Sequence, residues 1–143
     1  MIMTTFESTA KTINAPRKPV HGFLSDIGNL EKLVPEGRVR NLEVHQDVCR
    51  FTVDGIGEIG IRRLPSREEG VIRFESEGSQ PFSFDLAIEL DETPGNNTVL
   101  RLVLSAKLNA MMRMMARKPI QEGVEIIASM LSEELNNKQL QGG

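Results

Sequence analysis

The alternation of apolar and polar positions along the chain predicts a sheet protein that ends in one long helix. From Thr4 to Ile13 the two kinds of side chain alternate, which predicts a strand with one solvent-facing side. Five later stretches repeat the alternation, and the second is predicted to form a hairpin around Asp54-Gly55. Short turns join them, so we predict about seven strands in a strongly bent antiparallel sheet. The five stretches are RVRNLEVHQD, VCRFTVDGIGEIGIRRL, GVIRFESEG, PFSFDLAIELDE and TVLRLVLSAKL.

Helical spacing of apolar residues occurs in two places. The segment VHGFLSDIGNLEKLV, after the first strand, has two apolar groups separated by turn-forming residues, which predicts two short helices. The last element is predicted to run from about Asn109 to Leu135, with the Asn109 side chain as its cap. Pro119 lies inside it and predicts a kink. One face of this helix is apolar, at Met112, Ala116, Ile120, Val124, Ile127, Leu131 and Leu135.

This order of elements resembles the START-like helix-grip superfamily (SRPBCC), which includes the birch pollen allergen. The resemblance covers nearly the whole chain and depends on VHGFLSDIGNLEKLVP after the first strand and KPIQEGVEIIASML in the last helix. It implies an α+β fold in which the sheet wraps around the long helix and leaves an apolar cavity. One START-like domain is predicted over residues 1–136, followed by a polar flexible tail at 137–143. Members include lipid and hormone carriers, aromatase/cyclases and co-chaperones, so the fold alone does not name the activity.

Composition narrows the class of protein. The 143 residues carry a formal net charge of −3 without a basic block, which disfavours nucleic acid as a partner. The N-terminal residues lack a signal-peptide pattern, and no apolar stretch approaches the ~20 residues of a membrane span. The one cysteine, Cys49, cannot form an intramolecular disulfide and is predicted to be a small core residue. We expect a cytoplasmic protein with no stable membrane insertion.

The patterns that suggest a cofactor or a metal fail in their context. GIGEIG at residues 55–60 matches the dinucleotide pattern G-x-G-x-x-G, which requires a helix to begin at the third glycine. The alternating IRRLP follows instead, so we interpret the glycines as marks of a turn and of a bulge or bend. His21 and His45 are the only histidines, and no His/Cys/Asp spacing supplies the three or four ligands of a metal site. No cofactor and no metal are predicted.

A polyketide cyclase/dehydratase-like enzyme is one alternative for the function. General acid–base chemistry needs a histidine or a carboxylate that faces the cavity. His21 and Asp26 are the candidates, although Asp26 fits a helix cap equally well, and an inward arginine (Arg63, Arg73 or Arg101) is another. The chain has no tryptophan or tyrosine, side chains that commonly orient polar substrates. That composition favours binding over catalysis.

We therefore favour a non-catalytic binder or carrier of a small hydrophobic or amphipathic molecule. Its ligand is expected to lie between the concave face of the sheet and the long helix. Burial of apolar surface contributes about 25 cal/mol per Å², so such a cavity can bind without polar contacts. The predicted ligand-binding residues are Phe51, Ile59, Ile61, Phe74, Phe82, Phe84, Leu86, Leu102 and Leu104 from the sheet, and Met112, Met115, Ile120, Gly123 and Ile127 from the helix.

Methionines are concentrated in NAMMRMMARKPI, at the start of the last helix. Met111, Met114 and Met115 have the i, i+3, i+4 spacing of a second apolar face. Three alternatives remain open: a face covered by the first strand and the helix pair, an adaptable lip of the cavity, or a seam for a homodimer or another protein partner. Basic residues would rim the lip and meet a carboxylate, a phosphate or an anionic membrane surface: Lys107, Arg113, Arg117 and Lys118.

Overall fold

The computed structural model describes residues 2–30, 39–53, 57–65, 68–78 and 82–138. Within these residues the chain forms eight strands, two α-helices and one 3₁₀ turn. The strands are β1 Ile2–Glu7, β2 Lys11–Ile13, β3 Val39–His45, β4 Val48–Val53, β5 Gly57–Leu64, β6 Val71–Ser76, β7 Phe84–Thr93 and β8 Asn97–Leu108. The helices are α1 Arg17–Ser25 and α2 Ala110–Lys138, and the 3₁₀ turn is Ile27–Asn29.

One antiparallel sheet contains all eight described strands. Its order is β1-β8-β7-β6-β5-β4-β3, and the short β2 also pairs with β8. Consecutive strands from β3 to β8 are neighbours, as expected for strands joined by short connections. The sheet is curved, and α2 packs against it most closely at β8, β1 and β2. The predicted α+β architecture, a curved antiparallel sheet with a long C-terminal helix, is confirmed.

The first strand departs from the prediction. Thr4 to Ile13 belong to two strands, β1 and β2, because the ladder to β8 is interrupted between them. At the break the Ser8 amide donates to the Leu102 carbonyl at 2.9 Å, and the Leu102 amide donates to Ser8 Oγ at 2.9 Å. A side-chain oxygen thus replaces a main-chain acceptor in the ladder. Beyond the break the alternation of buried and exposed residues shifts by one position, so Ile13 is buried and Thr12 is exposed.

The first helical region agrees with the prediction as far as it is described. α1 buries Val20 and Leu24. Asp26 caps the following 3₁₀ turn, where its Oδ1 accepts from the Gly28 amide at 2.9 Å. The second short helix predicted in this region, around Leu30, Leu33 and Val34, lies outside the described residues except for Leu30.

The predicted hairpin is present, although its turn lies outside the described residues. β4 and β5 pair in antiparallel register from Val48 opposite Arg62 to Val53 opposite Gly57. The predicted Asp54-Gly55 turn would join these two strands directly. The pairing of the two strands is therefore confirmed, whereas the turn itself stays a prediction.

α2 begins as predicted and ends later than predicted. The Met112 amide donates to Asn109 Oδ1 at 2.8 Å, so Asn109 is the cap. The helix continues through Pro119 to Lys138, two residues into the predicted tail. Lys138 Nζ lies 5.8 Å from the centre of the Phe23 ring, and this cation–π contact attaches the last turn to α1. No described helix is long and apolar enough to cross a membrane.

Candidate functional site

Two apolar voids lie between α2 and the sheet. The first has a volume of about 60 Å³ and the second about 50 Å³. The first is lined by Leu30, Leu42, Cys49, Phe51, Ile61, Phe74, Leu86, Ile88, Leu102, Ile127, Met130 and Leu131. The second is lined by Phe51, Val53, Ile59, Ile61, Phe82, Phe84, Leu86, Leu102, Leu104, Ile120, Gly123, Val124 and Ile127. These side chains offer no polar partners, of which a buried water needs two to four, so the voids favour apolar atoms.

The two voids are neighbours with shared walls. Phe51, Ile61, Leu86, Leu102 and Ile127 line both of them. Ile61 and Leu102 are buried, whereas Phe51, Leu86 and Ile127 are half-buried. Three of the five shared walls therefore border empty space and keep part of their surface accessible. Side chains in such positions can change rotamer at lower cost than tightly packed ones, because fewer contacts are lost.

Polar side chains fix one long edge of α2 to the N-terminal strands. Gln121 Nε2 donates to the Glu7 carbonyl at 2.8 Å. Asn136 Oδ1 accepts from the Asn14 amide at 2.8 Å, and Asn136 Nδ2 donates to the Thr12 carbonyl at 3.1 Å. The helix is thus attached near both ends of its buried half by hydrogen bonds to main-chain groups.

Glu125 adds a charge-assisted contact between these two. Its Oε2 lies 2.7 Å from Lys11 Nζ and accepts from Thr9 Oγ1 at 2.9 Å, and its Oε1 accepts from the Thr9 amide at 2.9 Å. The hydrogen bonds from Lys11 and from Thr9 lower the pKa of Glu125 from 4.5 to about 2. We call Gln121, Glu125 and Asn136 the polar edge of α2. The polar edge faces the N-terminal strands, whereas the voids lie against β3 to β8.

Comparison with solved structures identifies this arrangement. No family model and no curated protein matches the sequence. A truncated norcoclaurine synthase from Thalictrum flavum gives a TM-score of 0.78 at 12% identity, over 99% of this chain and 96% of that one. A protein from Thermus thermophilus gives 0.71 at 19% identity, over 95% and 99%. The Zhui aromatase/cyclase from a Streptomyces species gives 0.68 at 18% identity, over 96% and 93%.

The chain has the START-like helix-grip fold. The resemblance inferred from the sequence is thereby confirmed at the level of the fold. Structural similarity at 12% to 19% identity shows the fold alone and does not show the activity. In the helix-grip fold the space between sheet and helix is the expected position of a cavity, and the two voids lie there.

Most of the predicted ligand-binding residues surround these voids of the helix-grip fold. Twelve of the fourteen line one void or both, and Met112 and Met115 line neither. Met112 is half-buried and packs against the core. Met115 is 74% exposed, so its predicted place in the cavity wall is wrong. The reason is that α2 buries its first residue only at Ile120, nearly three turns after it begins. That the other twelve bind a ligand stays a prediction.

Eight wall residues were absent from the predicted set. Cys49 is buried, which confirms its predicted place in the core, and it also lines the first void. Val124 and Leu131 belong to the apolar stripe of α2, so the sequence pattern could have predicted them as wall residues. Leu30 and Met130 meet the same void only through the tertiary fold. The eight are Leu30, Leu42, Cys49, Val53, Ile88, Val124, Met130 and Leu131.

The two candidates for acid–base chemistry lie away from the void walls described above. His21 Nδ1 is 3.2 Å from Ser25 Oγ, within α1. Asp26 is used as the cap of the 3₁₀ turn, which was the structural alternative for it. Neither residue lines either void. The described walls thus contain apolar side chains and the Cys49 thiol, and no histidine or carboxylate.

The three candidate arginines divide between the two faces of the sheet. Directly paired residues of neighbouring strands share a face. Arg63 pairs with Phe74, a wall of the first void, so Arg63 lies on the concave face, where it is half-buried. Arg73 and Arg101 alternate with wall residues of their own strands and lie on the convex face. Arg63 is thus the one of the three that lies on the concave face, although it lines neither void.

The GIGEIG motif belongs to the sheet. Its second and third glycines lie in β5, so no helix begins at Gly60. Gly57 has φ +112°, and a Cβ on Gly60 would lie 2.5 Å from the Glu77 carbonyl oxygen. Both glycines therefore serve the backbone geometry of the sheet, and the motif lacks the helix that a dinucleotide-binding turn requires. Among the described residues, no group of three or more His, Cys, Asp or Glu side chains is placed to hold a metal ion.

The second methionine face is exposed. Met111, Met114 and Met115 are 70%, 84% and 74% exposed. The alternative that the first strand and the helix pair cover them is wrong, because the three side chains are exposed, whereas Met112 on another side of the same turns packs against the core. Methionines with this exposure are available to a partner outside the chain.

Proposed function

We propose that the protein binds a small apolar or amphipathic molecule between α2 and the sheet. The observation that supports this most directly is the pair of adjoining voids with apolar walls. Binding of an apolar molecule there has a low desolvation cost, since no hydrated polar group of the protein has to lose its water. Its own apolar surface gains about 25 cal/mol per Å² when it leaves water.

The size of the voids means that binding must widen the cavity. Together they provide about 110 Å³, whereas pockets for drug-sized ligands span about 300–1,000 Å³. The half-buried walls Phe51, Leu86 and Ile127 can turn aside and merge the voids. The polar edge holds α2 along the opposite side, so the helix can move away from β4–β7 without breaking its hydrogen bonds. We therefore expect the ligand to enter on the side away from β1 and β2.

Arg63 is proposed to meet the polar head of an amphipathic ligand. Its register pairs it with Phe74 on the concave face. A guanidinium in this position binds a carboxylate better than a neutral head group. The ligand class that fits best is an apolar chain or ring with one anionic end.

An enzyme of the cyclase type is the second candidate. Of the similar structures, one norcoclaurine synthase holds dopamine and hydroxybenzaldehyde, and another protein is an aromatase/cyclase. The molecules bound in the first are polar and aromatic, and the name of the second refers to ring formation. In this chain the described walls carry no histidine, carboxylate or hydroxylated aromatic ring, so we propose binding rather than turnover. A homodimer or protein partner at Met111, Met114 and Met115 remains the third candidate.

The setting of this function is proposed on the same basis. We propose one functional domain over residues 1–136, since the sheet and α2 enclose one core. We also propose a cytoplasmic location, because the sole cysteine, Cys49, is buried and no described helix spans a membrane.

Native mass spectrometry of the freshly purified protein tests the proposal. We expect a bound small molecule, or binding of added decanoic acid and decanol with a rise in melting temperature. Arg63→Gln should weaken decanoic acid binding about tenfold and leave decanol binding unchanged, because only the acid has a charged head. Lys18→Gln, on exposed α1 surface, is the matched control. Absence of any bound molecule, with no thermal shift from either probe, would refute the proposal.

A further inference from the structure

The start of α2 presents an unusual surface. Met111, Met114 and Met115 expose 70%, 84% and 74% of their surface, more than any other large apolar residue described. Their spacing places them on one side of the first two helical turns. We call these three residues the methionine tip. Clustered apolar exposure marks a contact surface, and flexible thioether side chains suit a partner that has no fixed shape.

The charge around the methionine tip is opposite to that of the rest of the chain. Residues 107–121 contain four basic residues and no acidic one. The other 128 residues contain thirteen basic and twenty acidic ones, a net charge of −7. Arg117 and Lys118 are exposed beside the tip, and Glu122 lies 4.0 Å from Lys118 Nζ one turn further on. An anionic surface therefore attracts the tip and repels the remainder, which orients the protein.

A second copy of the chain fits this surface poorly. A stable dimer buries about 800 Å² and some 20–30 residues on each side. The methionine tip offers three side chains on two turns of one helix. Pairing two tips would also bring two sets of basic residues together, and like charges in contact are unfavourable.

We propose that the methionine tip docks the protein on an anionic lipid bilayer. The three methionines enter the boundary between head groups and acyl chains, while Arg117 and Lys118 contact the phosphates. Surface-lying helices bury their apolar face about 5–10 Å deep in this way. The inference goes beyond the proposed function and does not require an occupied cavity. The helix wall of the second void begins at Ile120, about 7 Å along the helix from Met115, so docking brings that end of the void toward the bilayer.

Vesicle co-sedimentation tests the docking. The wild-type chain should bind vesicles of phosphatidylcholine mixed with phosphatidylglycerol, and bind phosphatidylcholine alone at least tenfold more weakly. Arg117→Gln with Lys118→Gln should weaken binding about 25-fold, since each basic residue near the surface contributes about fivefold. Met114→Ser with Met115→Ser should weaken it at least tenfold. Lys18→Gln, an equal loss of charge on α1, should have no effect.

Three results would overturn the proposal. One is failure to bind the anionic vesicles. Another is binding that the methionine variant leaves intact, which would show adsorption by charge alone. The third is a solution dimer that Met114→Ser with Met115→Ser dissociates, because the tip would then be covered by a second copy. The substituted residues are exposed, so circular dichroism should show all variants folded.

Discussion

Replacement of Leu86 by phenylalanine tests whether the voids are space for a ligand or only imperfect packing. Leu86 lies on β7, is half-buried and lines both voids. Its register partners are Phe74 on β6 and Leu104 on β8. A phenylalanine in this position extends into the empty space and can pair with Phe74 across the strands, which is a favourable contact in sheets.

The expected gain in stability follows from the void volumes. Empty space in a protein core costs about 24 cal/mol per Å³. For enclosed cavities of about 60 Å³ and about 50 Å³ this cost is about 1.4 and about 1.2 kcal/mol, and it is smaller here because both spaces are partly open to the surface. One larger side chain fills part of each, so we expect Leu86→Phe to raise the free energy of unfolding by about 0.5–1.5 kcal/mol. The melting temperature should rise by about 2–4 °C.

The ligand should respond in the opposite direction. We expect Leu86→Phe to weaken decanoic acid binding at least tenfold in isothermal titration calorimetry, because the added ring occupies the guest's space. Urea unfolding followed by circular dichroism measures the stability. Leu64→Phe is the matched control, since Leu64 is half-buried on β5 and its register partner Arg73 places it on the convex face. Leu86→Phe protein that binds decanoic acid as tightly as wild type would refute the reasoning.

Two further predictions concern the helix attachment and the sheet. Because the pKa of Glu125 is about 2 when folded and near 4.5 when unfolded, its contribution to stability is present above about pH 4.5 and lost as the pH falls toward 2. Glu125→Gln should therefore lower the free energy of unfolding by about 1 kcal/mol at pH 7, with allowance for its 34% exposed side chain, and by almost nothing near pH 2. Urea titrations measure the loss at each pH, and equal losses at both would contradict this. Gly60→Ala should lower the free energy of unfolding by more than about 2 kcal/mol, because its Cβ would meet the Glu77 carbonyl oxygen at 2.5 Å. Gly22→Ala, with open space around its Cβ in α1, should raise the free energy of unfolding by up to about 1 kcal/mol. Unfolding curves that rank the two alanine variants the other way would show that the sheet yields at Gly60.

The elements were predictable where the signal is local. Strand alternation repeats within a few residues, and the spacing of α2 repeats over seven turns, so β3 to β8 and α2 could be inferred from the sequence. The break at Ser8 could not, since it depends on a hydrogen bond to Leu102 on a distant strand. Met115 failed for a related reason: periodicity defines the faces of a helix but not where packing on the sheet begins. The link between Lys11 and Glu125 is equally invisible, because the two are 114 positions apart.

The position of the voids, more than their volume, favours a ligand. Voids from imperfect packing can occur anywhere in a core, and a single small void carries no functional meaning. Here both lie on the side of α2 opposite the polar edge, and three of their shared walls are half-buried. Opening that side breaks no hydrogen bond of Gln121, Glu125 or Asn136, whereas opening the other breaks all of them, including charge-assisted ones worth about 1.5–3 kcal/mol each before screening. The weakest contact between helix and sheet thus coincides with the empty space, which is the arrangement that admitting an apolar guest requires.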